Sequence, residues 1–416
     1  MGALAALCLL AYWRFLSLPF LSDDYLAIKL GREYTAPGGW SKLASDALYR
    51  CRATSIVLTY WLDGFFGLNS TAYNSCSLIL HILNTWLVFT LGFWRPIGWR
   101  LGAVAAGFFA IHEGHQEAVV WFSASPELLV FFFTLLGFLC WLGWVEGAKN
   151  RAWYYGGTLV CFLLAMLSKE SAVAFVPVLL LPLLVRREKW RRVLIGTIPF
   201  AATAVIYTLL IFAARENHLH FNDGTFSPGA PFWVTLAISA GRMLWFWGLL
   251  SLAFLAIERA RQWKGLLAGA SLWIVATLLP YAFLTYMPRV PSRHTYLASV
   301  GVAFIVAAGM AAVRRRFAVH PRLAVAIVAI AVIAHNCGYL WTRKYFQYTE
   351  RAAPTSELVR LVEATDGPVF VHGFPYDKEV AYLAVEVGAN KPRNTLIFDS
   401  RRAVAAKAVY TWKSPR

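Results

Sequence analysis

Charge is scarce in this chain, and negative charge is scarcest: 15% of its 416 residues are Asp, Glu, Lys or Arg, with 22 acids against 39 bases. A soluble domain carries charge at about a quarter of its positions, so water is excluded as the main solvent. Paired cysteine spacing is missing as well. Cys8, Cys51, Cys76, Cys140, Cys161 and Cys337 are scattered, most of them inside apolar runs, which excludes a disulfide framework and a thiolate metal site. No internal repeat or low-complexity tract appears, so neither a solenoid nor a disordered chain is indicated.

What is abundant is apolar side chain, at 59% of residues. A membrane span needs roughly 20 of them in a row. On that criterion about eleven spans are expected, near 3–21, 72–93, 101–118, 126–145, 152–168, 171–185, 193–213, 232–257, 265–287, 295–313 and 321–341. The first run has no small-residue cleavage site and reads as a span, not a signal peptide. The formal charge of +17 lies in short clusters between spans, such as Arg186, Arg187, Lys189, Arg191 and Arg192, or Arg314, Arg315, Arg316 and Arg322. Clusters of this kind obey the positive-inside rule. They put the N-terminus in the cytoplasm and imply membrane-lipid partners, with no nucleic acid. The opposite loops, at 112–126, 168–171, 214–231 and 288–294, hold only Lys169, Arg215, Arg289 and Arg293 as basic residues.

Two segments are too polar to span. Residues 22–71 form a long first external loop with residues spaced as in short amphipathic helices, suited to lie on the outer surface over a site. Residues 342–416 alternate helical and β-like stretches and read as a small external α/β domain, separate from a transmembrane domain at 1–341. The fold class expected is therefore an all-α polytopic membrane protein with a small C-terminal α/β appendage.

Polar residues that bear chemistry collect at the external face. Asp23 and Asp24 follow the first span, where adjacent carboxylates at a low-dielectric edge have raised, coupled pKa values and can serve as a general base or hold a divalent cation. The bland alternative is a helix-end anchor. His112, Glu113, His115 and Glu117 form a cluster after the third span, either half of a metal site or a hydrogen-bonded turn that supports a neighbouring loop. Lys169 and Glu170 sit in a very short external turn, where the lysine can meet a phosphate while the glutamate holds it, or the two can neutralise each other. Arg50, Arg52, Arg242 and Arg293 are external or interfacial arginines, fit to fork a phosphate or to snorkel to headgroups. Arg14, in the first span, has no assigned role.

An ordered set of stretches resembles the GT-C superfamily of membrane glycosyltransferases, in the branch of protein O-mannosyltransferases and aminoarabinose transferases. It comprises the acidic pair; Phe66-Gly67-Leu68-Asn69 leading to Tyr73-Asn74 and Leu80-His81-Ile82-Leu83-Asn84; Phe109-Ala110-Ile111-His112; Glu117-Ala118-Val119 with Trp121; Leu167-Ser168-Lys169-Glu170-Ser171-Ala172; and Arg293-His294-Thr295-Tyr296-Leu297-Ala298-Ser299. Two positions depart from that pattern. Glu113 stands where a proline commonly follows the histidine, and no basic residue precedes Glu127.

The resemblance implies transfer of a sugar from a polyprenyl-phosphate donor to a hydroxyl of a protein, lipid or glycan, with inversion, on the external face of a plasma (inner) membrane. It makes Asp23 the base with Asp24 beside it. Lys169 and Arg293 become the leading donor-phosphate residues, followed by Arg50, Arg52 and Arg242. No cofactor is required, and a divalent cation is left open. The rival class, a transporter or flippase of a lipid-linked glycan, calls for mid-membrane polar groups on two related halves. A non-catalytic scaffold would leave the acidic pair without purpose.

Overall fold

The computed structural model describes residues 1–33, 38–46, 50–217, 225–259, 261–285 and 288–413. In lipid every backbone N–H and C=O must be satisfied internally, so long apolar stretches become helices. The longer ones are α1 Gly2–Tyr12, α2 Asp24–Glu33, α3 Ala53–Phe66, α4 Ser70–Thr90, α5 Trp99–Ile111, α6 Ser125–Glu146, α7 Arg151–Met166 and α8 Trp190–Ala213. They continue as α9 Phe232–Leu244, α10 Trp247–Ile257, α11 Lys264–Leu278, α12 Ser299–Arg316, α13 Pro321–Tyr339, α14 Tyr345–Glu363 and α15 Lys378–Gly388. Each expected span contains helix.

Among the described residues, five helices are long and apolar enough to cross a membrane alone: Ser70–Phe93, Phe122–Glu146, Arg187–Ala213, Lys264–Tyr281 and Pro321–Glu363. Other stretches are shorter or broken. Helix α5 stops at Ile111, and the expected continuation to 118 is a turn followed by the short helix Gln116–Val120. Residues 171–185 divide into brief turns at Glu170–Ala174, Phe175–Val178 and Leu181–Leu184, with Pro177 and Pro182 removing backbone donors. Helices α9 and α10 meet at 80° where one span was expected.

Helix α12 is the axis of the bundle, buried along most of its length and flanked by α5, α10 and α11. Its glycines set those approaches. A Cβ on Gly301 would lie 2.5 Å from the carbonyl oxygen of Ala270 in α11, and one on Gly309 would lie 2.4 Å from the Ser251 side chain in α10. Small residues let membrane helices pack at such short range.

The first loop folds as expected into short helices. Helix α2 lies on α3, with Arg32 bound to Asp63 at 2.7 Å. The C-terminal part departs from the expected division. No break occurs at residue 342: α13 runs through the π-turn Leu340–Lys344 directly into α14. Beyond it lies a parallel three-stranded sheet of β1 Val369–His372, β2 Leu396–Ile397 and β3 Ala408–Thr411, in the order β2-β1-β3. The third strand was not among the expected β-like runs. Helix α15 returns to the first loop, packing Ala384 and Val387 with Phe20, Tyr25 and Ile28, and Lys29 of α2 binds Glu386 at 2.9 Å. This small unit is thus seated on the first loop, beside the acidic pair.

Candidate active site

The two aspartates differ completely in setting. Asp24 is 2% exposed, and its carboxylate accepts from the backbone N–H of Leu21 and that of Ser123, each at 2.8 Å. It ties the exit of the first span to the loop before α6. Burial pushes its pKa up to about 7, against the opposing pull of those two donors. Asp23 is exposed, yet protein surrounds it closely enough that desolvation raises its pKa, while Arg293 and Arg351 act in the other direction. Asp23 is thus a solvent-exposed carboxylate under the influence of two guanidiniums.

The segment 291–296 divides two cavities. On one side lies a polar cavity of about 280 Å³ whose charged lining comprises Arg242, Arg289, Arg293, Lys344, Arg351 and Glu117. Glu117 fixes the wall. Its carboxylate binds the Arg293 guanidinium and accepts from the Ser292 hydroxyl at 2.8 Å and the Arg293 N–H at 3.2 Å. Gln116 donates to the Ser292 hydroxyl at 2.8 Å and accepts from the Tyr348 hydroxyl of α14. Arg293 and Arg351 both stand 5.1 Å from the Trp121 ring centre. Cation–π attraction holds the two like charges near one another.

On the other side is an apolar groove of about 340 Å³, lined by residues including Ile211, Phe212, Phe226, Leu279, Phe283 and Leu284. Its polar end is Lys169, His294 and Tyr281 around Glu127. The Lys169 ammonium and His294 Nδ1 both close on Glu127 Oε1, and the Tyr281 hydroxyl donates to Oε2 at 2.7 Å. The Ser171 hydroxyl lies 2.6 Å from the Tyr281 oxygen, and the Tyr281 and His294 rings stack at 4.4 Å. Burial lowers the Lys169 pKa, an effect countered chiefly by Glu127.

The expected residues are thus partly gathered. Arg242 and Arg293 share the polar cavity. Lys169 belongs to the apolar groove, and its carboxylate partner is Glu127; Glu170 instead holds Arg52 at 2.8 Å. Arg50 lies just ahead of α3, close to Arg52 in the chain. His115 is fully buried with Nε2 2.7 Å from the Ser299 hydroxyl, and His112 stacks on Phe108 at 4.9 Å. Among the described residues no three His, Cys, Asp or Glu side chains are placed to hold a metal ion, and both Asp24 oxygens are taken by backbone donors. Arg14 donates to the Trp341 carbonyl at 3.2 Å, clamping the first span to the last.

Glu127, His294 and Tyr281, together with Trp121, Arg289, Lys344 and Arg351, were not singled out as site residues from sequence. Glu127 did carry a signal, as an ionised group in the first turn of a strongly apolar helix, where a buried charge requires a partner.

Comparison with known structures matches the fold over nearly the whole chain. ArnT from Cupriavidus metallidurans bound to undecaprenyl phosphate aligns with a TM-score of 0.57 at 14% identity, over 92% of this chain and 84% of that one. The Archaeoglobus fulgidus oligosaccharyltransferase, in complex with zinc and sulfate, aligns at 0.56 with 13% identity, over 94% of this chain and 62% of its own. Archaeal oligosaccharyltransferase AglB from Archaeoglobus fulgidus, with an inhibitory peptide and a dolichol-phosphate, aligns at 0.53 with 11% identity, over 97% of this chain and 64% of its own. The chain has the GT-C fold.

With that fold in place, the expected resemblance is carried by architecture more than by sequence. No family model matches the chain. In sequence, Drosophila melanogaster protein O-mannosyl-transferase Tmtc1 is 27% identical over 184 residues, 41% of this chain and 21% of that protein. The chain therefore matches about a fifth of that relative's length. Within the GT-C fold, both cavities lie against the segment 290–294.

Proposed function

We propose that this protein is a glycosyltransferase that moves a sugar from a polyprenyl-phosphate carrier to an acceptor hydroxyl, with inversion, at the non-cytoplasmic membrane face. The observation that carries the reading is the division of labour in the acidic pair: Asp24 is locked to backbone, whereas Asp23 is exposed and under the influence of Arg293 and Arg351. Asp23 is the base. It accepts the proton of the acceptor hydroxyl as that oxygen attacks the anomeric carbon and the bond from that carbon to the phosphate oxygen breaks. Attack from the side opposite the phosphate inverts the centre.

The leaving lipid phosphate gains negative charge, and preorganised guanidiniums stabilise it without a general acid. Arg293 and Arg351 are the groups that receive it. Both hold a fixed relation to Trp121, and Arg293 is further aimed by Glu117, so little reorganisation accompanies the reaction. The apolar groove beyond segment 291–296 suits an isoprenoid tail, with Lys169 and His294 at the end nearest the polar cavity.

The neighbours' ligands agree with this chemistry, since ArnT is described with undecaprenyl phosphate and AglB with a dolichol-phosphate. The test is sugar transfer from a polyprenyl-phosphate donor by the purified protein and its Asp23→Asn variant. General-base catalysis contributes about 10²–10⁴-fold, so the variant is expected to lose activity by that factor while melting as the parent does. Full activity in Asp23→Asn would remove the proposed base.

A further inference from the structure

The polar cavity is richer in positive charge than one phosphodiester requires. Besides Arg293, which Glu117 neutralises, it is lined by Arg242, Arg289, Lys344 and Arg351. Among the described residues none of these four has a carboxylate within salt-bridge distance, and Lys344 spends one donor on Gln347 at 2.9 Å. Holding four cations around about 280 Å³ of polar space is unfavourable unless an anion joins them. A sugar phosphodiester brings a single negative charge, and its product a charge of about two.

The cations also fall into two groups. Arg293 and Arg351 are those that act on Asp23 and flank Trp121. Arg242 and Arg289 lie instead near Tyr339 at the end of α13, with Lys344 one helical turn further along the same run. The charged groups that act on Lys344 are Glu113 and Glu117 on the acidic side and Arg242 and, from the inner group, Arg351 on the basic side, and Glu117 is already committed to Arg293.

We infer that the cavity holds two phosphate-class anions at once, one at Arg293 and Arg351 and one at Arg242, Arg289 and Lys344. The inference rests on the glycosyltransferase reading and refines its substrate class. The second anion is either the distal phosphate of a diphosphate-linked donor or a phosphate on the acceptor. These share one recognition chemistry and differ in covalent attachment.

The experiment uses the full chain in nanodiscs of zwitterionic lipid, titrated with undecaprenyl phosphate, with undecaprenyl diphosphate, and with inorganic phosphate after saturation with undecaprenyl phosphate. Two outcomes support the inference. The diphosphate binding about ten-fold or more tighter than the monophosphate assigns the second anion to the donor, by the usual strength of charge-assisted contacts. Comparable affinities, with one further equivalent of inorganic phosphate bound after saturation, assign it to the acceptor.

In either case Arg242→Gln and Lys344→Gln are expected to abolish the second binding step and to weaken monophosphate binding far less than Arg293→Gln does. Binding of the monophosphate with neither a diphosphate preference nor a further phosphate overturns the inference and leaves the transferase reading standing. Absence of monophosphate binding overturns the transferase reading itself.

Discussion

Asp23 and Asp24 share a turn of backbone and differ in everything that sets a carboxylate's chemistry. The residues alone located the pair but left open whether it was a base, a cation site or a helix anchor, and only the family resemblance pointed to Asp23 as the base, because adjacency in the chain says nothing about which carboxylate meets backbone donors. The fold assigns the anchor role to Asp24, whose oxygens accept from Leu21 and Ser123. Its folded pKa of about 7 lies above the ordinary 3.8, so the native state holds the proton more tightly than the unfolded chain does. The stability this brings is full below pH 3.8 and is lost as pH rises through about 7, the reverse of a salt-bridged carboxylate. Melting of the solubilised protein between pH 5 and 9 is expected to fall across neutrality, and an Asp24→Asn variant, which cannot titrate, should lack that part of the slope. An unchanged slope in Asp24→Asn would assign the pH dependence to other groups.

Helices were legible where the apolar run was long and uninterrupted, as in α6 and α8, and illegible where tertiary packing decides. The sequence Leu244-Trp245-Phe246-Trp247 has no glycine or proline, yet the chain bends by 80° there, and Phe246 takes a φ of 60° that disfavours a side chain. Phe246 stacks on His335 and Trp247 bonds to the same imidazole at 3.2 Å, contacts that no local pattern announces. The bend matters because it ends α9 just past Arg242, the cation that α9 presents to the polar cavity. Lys344, Gln347, Tyr348 and Arg351 could have been read, since their i, i+3, i+4, i+7 spacing is one face of a helix. Treating residue 342 as a domain boundary hid that face. Packing between elements offers its own test at Gly301, where α12 touches the backbone of α11. An added Cβ meets a carbonyl oxygen that cannot rotate away, so Gly301→Ala is expected to destabilise by about 1–3 kcal/mol, read as a lower melting temperature in detergent. Gly64, inside α3 with nothing near its Cβ position, is the control at which alanine should stabilise slightly, by about 0.5–1 kcal/mol.

At the scale of the molecule, the first loop, the segment 291–296 and the C-terminal unit converge on one recess although they are far apart in the chain. Their convergence explains why the site was only half visible: Asp23, Arg242 and Arg293 stood out as charges at span ends, whereas Glu127, Lys344 and Arg351 acquire meaning through what the fold brings to them. The orientation expected from the basic clusters at Arg186–Arg192 and Arg314–Arg316 puts those clusters in the cytoplasm and Asp23 and the C-terminal unit on the other face. That orientation can be checked with an impermeant maleimide on intact spheroplasts. The native cysteines are buried or half-buried and give a low background. A cysteine introduced at exposed Ser400, in the C-terminal unit, is expected to be labelled without lysis, and one at exposed Lys149, between α6 and α7, only after it. The reverse pattern would put the recess on the cytoplasmic side, where an outward-facing lipid-linked donor could not reach Asp23, and the proposed reaction would have to be abandoned even though the helical bundle stayed the same.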